Sequence, residues 1–141
     1  MKKMISAFLA VVMLCGSLTC SAVEPRASRY FSILTAVITP QGGNKMAVSY
    51  SVTATGSMTK LGAYSIRLEE EVGNDNWITS TTVYGSKNPS FYAYDTVSHA
   101  GSYTFTGIPG VKYRAVLVAY ASNSSGSEYS NEIVSSGKVC R

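Results

Sequence analysis

One histidine, one cysteine near the chain end and a run of three glutamates are the residues whose types could do chemistry. Ser–His–Asp or Cys–His catalysis would have to pass through His99. His99 lies between Ser98 and Ala100, just before Gly101, and reads as an exposed loop residue. Cys140 is next to last, where a catalytic thiol is hard to hold rigidly. One imidazole and one thiol fall short of the three or four ligands a zinc site uses. Glu69 and Glu71 would share one face of a strand, roughly 7 Å apart. Inverting glycosidases hold two carboxylates at such a distance, but across a cleft. A small β face offers no cleft. The pair therefore reads as solvated glutamates at a strand end, placed to repel edge-to-edge pairing. The expectation is a non-enzyme with no cofactor and no metal.

Aromatic residues are the better candidates for binding. The stretch "VYGSKNPSFYAYD" gathers Tyr84, Phe91, Tyr92 and Tyr94 in the least regular part of the chain, and Trp77 precedes it. Aromatic plates with little charge suit sugar stacking or protein contact. Phe91 and Tyr92 are adjacent, so on an extended chain one is buried and the other exposed. Trp77 also has a plain structural reading, packing over a strand edge. The sequon at Asn123 matters only in a eukaryotic host, and Pro89 blocks the one at Asn88.

The elements that must position these residues begin after an export signal. Lys2 and Lys3 precede an apolar run, Met4 to Leu14, and Cys20-Ser21-Ala22 supplies a small-residue cleavage site. The run is too short to cross a bilayer. A lipoprotein reading is weaker, since Cys20 has Ser17 and Thr19, and Cys15 has Val12 and Leu14, where that motif wants leucine and a small residue. Residues 1–22 are thus read as signal, 23–29 as a short flexible tail, 30–136 as one domain and 137–141 as a C-terminal tail. Cleavage removes two lysines and halves the net charge of +4. Only 14% of the chain is charged, with no basic cluster, so nucleic acid is not an expected partner. Cys15 and Cys20 leave with the signal, and an intramolecular disulfide is excluded. Cys140, in the tail "SSGKVCR" between Lys138 and Arg141, is expected to be mobile and able to join two chains as a homodimer.

Period-2 patterns dominate from Tyr30 onward. "YFSILTAVIT" is β-rich and ends at Pro40. In "KMAVSYSVTAT", Met46, Val48, Tyr50 and Val52 face inward; "GSMTKLG" then breaks the run. "AYSIRLEEE" puts Tyr64, Ile66 and Leu68 inward and Ser65, Arg67 and Glu69 outward. "WITSTTVYG" is a strand, "SKNPSFYAYDTVSHAG" is irregular with a short edge strand at most, and "SYTFTGI", "KYRAVLVAYAS" and "EYSNEIVSS" are strands. Pro109 and Gly110 form a corner between the first two of these. Tyr113, three residues later, is placed to bond its hydroxyl back to the corner backbone. Seven or eight short strands predict a single all-β sandwich.

The stretch "GSYTFTGIPGVKYRAVLVAYASNSSGSEYS" resembles the E–F–G region of a fibronectin type III domain, and "AYSIRLEEEVGNDNW" resembles its C strand and following turn. The likeness covers residues 44–135. It departs where Tyr50 stands for the usual strand-B tryptophan, and where Trp77 to Ser102 runs longer than usual. A weaker likeness is to small secreted proteins of unknown function from Gram-positive anaerobic bacteria. The resemblances imply an Ig-like fold and no activity; with the export signal and the aromatic stretch, the expectation is a secreted module that binds an extracellular protein or glycan without catalysis. The alternative is a passive structural or self-associating protein.

Overall fold

The computed structural model describes residues 28–141; the signal, its cleavage site and most of the 23–29 tail lie outside them. Eight strands follow in order: β1 Phe31–Gly42, β2 Lys45–Glu71, β3 Trp77–Tyr84, β4 Tyr92–Thr106, β5 Lys112–Asn123, β6 Gly126–Tyr129, β7 Ile133–Val134 and β8 Lys138–Val139. Two short 3-10 turns, Gly85–Lys87 and Pro89–Phe91, join β3 to β4. The described residues contain no α-helix, and none of their elements is a helix long and apolar enough to cross a membrane.

The strands form one curled antiparallel sheet with β2 as its spine. The first half of β2 pairs with β1 on one side and with the second half of β4 on the other. Its second half pairs with β3 and β5, and β6, β7 and β8 add to β5. Curling brings Met46, Val48, Tyr50 and Val52 of one half against Ile66, Leu68, Ala115, Leu117 and Ala119 of the other in a single apolar cluster. The alternation expected for residues 46–52 is the one observed, and in β5 Tyr113, Ala115, Leu117 and Ala119 form the matching buried row.

The expected break at "GSMTKLG" does not end the strand. β2 runs through it as one 27-residue strand and bends instead, with a register slip against β4 between Thr53 and Met58. A second slip, against β5, falls between Ala63 and Ser65. One extra residue there inverts the alternation. Ala63 and Ile66 both point inward, and Tyr64 is turned to solvent, against its inward assignment. The region after Tyr84 is likewise more regular than expected. β4 begins at Tyr92 and holds His99 opposite Val52, so His99 is a strand residue and not a loop residue.

The Pro-Gly corner forms as the spacing predicted. Gly110 has φ +84°, a conformation that costs glycine nothing. The buried Tyr113 hydroxyl accepts the Ile108 amide at 2.9 Å. Tyr113→Phe removes the acceptor and leaves that amide unpaired, so the urea midpoint is expected to fall by the equivalent of about 1–2 kcal/mol. An unchanged midpoint would mean that water replaces the hydroxyl without loss.

Cys140 contradicts its expected place in a mobile tail. It is 1% exposed and belongs to the core. Its amide donates to Val111 O and its carbonyl accepts from Gly110 N, both at 2.9 Å. Its sulfur packs on Gly107, where an added Cβ would lie 2.9 Å away. A free cysteine behaves as a small hydrophobe, and here it plugs the underside of the corner. Residues 137–141 are therefore not a tail: β8 pairs Val139 with Lys112, and Arg141 O accepts the Asn44 amide. The thiol has no exposed surface from which to form the expected disulfide-linked homodimer.

Candidate binding face

Two registers set this face. Gly62 of β2 lies opposite Tyr92 of β4 on one side and Tyr120 of β5 on the other. Lys60 lies opposite Tyr94 and Ser122. Directly paired residues share a face, and so do residues two apart. Lys60, Tyr64, Tyr92, Tyr94 and Tyr120 therefore project to the same outer side. β6 adds Tyr129 opposite Tyr120, and the end of β3 adds Tyr84 beside Tyr64.

The rings touch in series. Tyr84 meets Tyr64 edge-on at 6.0 Å, Tyr64 meets Tyr129 at 4.8 Å, Tyr129 meets Tyr120 at 5.0 Å and Tyr120 meets Tyr92 at 6.3 Å. Lys60 Nζ stands 4.1 Å over the Tyr92 ring and 5.7 Å from that of Tyr120. Tyr94, Tyr129, Tyr84 and Tyr64 are 63%, 55%, 44% and 38% exposed. Six of the chain's ten tyrosines thus form one surface. Burial first, then the neighbouring phenols of Tyr129, Tyr120, Tyr64 and Tyr94, push the Tyr92 hydroxyl up to about 12. The Tyr92 phenol therefore stays protonated and neutral over any physiological range.

Two glycines make the crowding possible. An added Cβ at Gly85 would lie 2.6 Å from the Tyr92 ring, so that ring lies directly on the 3-10 turn. An added Cβ at Gly62 would meet the Phe91 carbonyl oxygen.

Of the aromatic residues expected to bind, Tyr84, Tyr92 and Tyr94 come together here. Phe91 does not. It is buried between Tyr50 and Tyr103, with ring centroids at 5.8 and 5.7 Å, because the Pro89–Phe91 turn drives it inward. Trp77 lies at the opposite end of β3, about 23 Å along the strand from Tyr84. Tyr64, Tyr120, Tyr129 and Lys60 complete the face and were not among the expected residues. Tyr120 was readable, since an inward Ala119 implies an outward neighbour. Tyr64 was hidden by the slip at Ala63, and Tyr129 by a register that only the fold supplies.

No family model matches the chain, and no curated protein does.

Trp77 belongs to a separate ionic cluster on the outer side of β2 and β5. The Arg114 guanidinium stacks on it at 4.4 Å and reaches both Glu69 oxygens at 3.3 Å. Arg67 lies 3.7 Å from Glu69 and donates to Glu132 at 2.9 Å. That hydrogen bond holds the Glu132 carboxyl below its ordinary value. Lys112 approaches Glu71 at 3.8 Å. Glu69 is consequently buried beneath two arginines, a correction to its reading as a solvated residue. Glu69 and Glu71 each have their own cation, so they do not stand as a free carboxylate pair. The half-buried His99 ring nitrogen meets Ser90 O at 3.0 Å and the Tyr50 hydroxyl at 3.4 Å. Among the described residues no three metal-ligating side chains converge.

Proposed function

We propose that the protein is a secreted, non-catalytic interaction module that grips a protein partner through its tyrosine face. The observation that carries this is the unbroken series of ring contacts from Tyr84 to Tyr92, with four of the face's tyrosines more than a third exposed. Tyrosine gives a large amphipathic contact area and loses little rotamer freedom on binding, which is why it is enriched at interfaces and paratopes. Rings that already brace one another have less freedom still to lose. A sugar-stacking platform needs open, parallel ring faces. Here the contacts are edge-to-face, at 74°, 78° and 81°, or tilted at 53°, so neighbouring rings occupy many of the faces. That arrangement favours protein over glycan.

Two further features support the wider reading. Export rests on Lys2, Lys3, the Met4–Leu14 run and the Ala22 site. A two-layer, fibronectin type III-like arrangement fits the pairing of β1–β2–β4 and β3–β2–β5–β6 and the Tyr113 corner. The test is capture from the extracellular fraction of the producing cells, with wild type and the Tyr64→Ala/Tyr129→Ala variant as baits. A protein retained by wild type and lost by a variant of unchanged melting temperature is expected. Retention by both baits, or a glycan bound by wild type and lost by the variant, would overturn the reading.

A further inference from the structure

We propose that β1 is a self-association edge, through which two copies pair antiparallel about a two-fold axis at Thr35. The proposal is independent of the tyrosine face, to which β1 contributes nothing. β1 bonds to β2 along one side, and among the described residues its other side has no strand partner. Open grooves of about 420 and 830 Å³ run along that side, between β1 and the segment carrying β6 to β8. An edge of 12 residues is a ready template for another strand. Natural edges are usually blunted by lysine, proline or short length. Here no charged residue occurs from Tyr30 to Asn44, and the first proline is Pro40.

A second copy fits this edge because the edge is complementary to itself. Ile33, Thr35 and Val37 project outward, with Ile33 58% and Val37 52% exposed. They are symmetric about Thr35. Antiparallel pairing centred there sets Ile33 opposite Val37 of the second copy, twice, and Thr35 opposite itself. On the inner side Leu34 falls opposite Ala36. β-branched and Thr–Thr cross-strand pairs stabilise a ladder. In the same register Arg29 meets Gln41, so no two charged residues of the paired 29–41 segments face each other, and an isologous contact of this kind closes at two chains.

Cysteine cross-linking reads the register, and the buried Cys140 leaves it undisturbed. Across the axis, Thr35 lies within the Cα separation a disulfide accepts, roughly 4.4–6.8 Å. Thr39 would lie about 26 Å from its copy. Mild oxidation is expected to give a dimer band from Thr35→Cys and none from Thr39→Cys. In sedimentation, wild type is expected to associate with concentration. Thr35→Lys, which sets two ammonium groups face to face, is expected to weaken dimerisation roughly fivefold or more with an unchanged melting temperature. Equal cross-linking at both positions, or a wild type that stays monomeric into the millimolar range, would overturn the proposal, and the second result would leave the edge free for a different partner.

Discussion

Gly62→Ala is expected to destabilise the protein by about 3 kcal/mol or more, and to disorganise the tyrosine face with it. The reason is the triple junction at this residue. β4 and β5 both close on β2 at Gly62, and an added methyl meets the Phe91 carbonyl oxygen, with the Phe91 carbonyl carbon and Tyr92 Cα each 2.9 Å away. All three are backbone atoms, so no flexible side chain can yield. The strain has to move the 3-10 turn that carries Phe91 into the core and Tyr92 onto the face. Gly56→Ala is the control, because a Cβ there meets nothing within 4 Å; its effect is expected to stay within about 0.5 kcal/mol. Urea midpoints of the two variants decide the matter, and equal midpoints would show that the junction is loose.

Phe91→Ala is expected to cost about 3–5 kcal/mol, the range for deleting a large ring from a packed core. Phe91 is 1% exposed and wedged between Tyr50 and Tyr103. Tyr94→Ala, three residues along, is expected to change stability by less than about 0.5 kcal/mol, since its side chain is largely solvated. The loss in Tyr94→Ala is expected to appear in partner binding and not in the melting curve. A Phe91→Ala protein that melts like wild type would contradict the core placement.

These two residues also show where sequence pattern stops. Period-2 alternation located the inner rows of β5 and of the first half of β2 well, because a stretch of strand without an inserted residue keeps a strict phase. The Tyr113 bond was legible for the same reason: corner and strand are local. Alternation failed at Tyr64, where a single inserted residue inverts the phase and composition leaves no mark of it. It failed for Glu69 too, since an outward residue can still be buried when Arg67 of its own strand and Arg114 of β5, itself stacked on Trp77 of β3, close over it. Cys140 was misplaced because chain position was taken for mobility, while its amide and carbonyl are both tied to the corner. Half of the tyrosine face was visible as an aromatic cluster along the chain. Of the other half, Tyr120 follows from the alternation of β5, while Tyr129 depends on its pairing with Tyr120 and Tyr64 on the slip between Ala63 and Ser65, which no local pattern encodes.

Site-specific photo-cross-linking tests most directly whether the tyrosine face is the contact surface. A benzophenone side chain placed at Tyr129, the exposed middle ring of the series, is compared with one at Ser49, an exposed position on the opposite half of β2. Irradiation in the extracellular fraction of the producing cells is expected to yield a discrete protein adduct from position 129 and none from position 49. An adduct formed from position 49 but absent from position 129 would contradict the account.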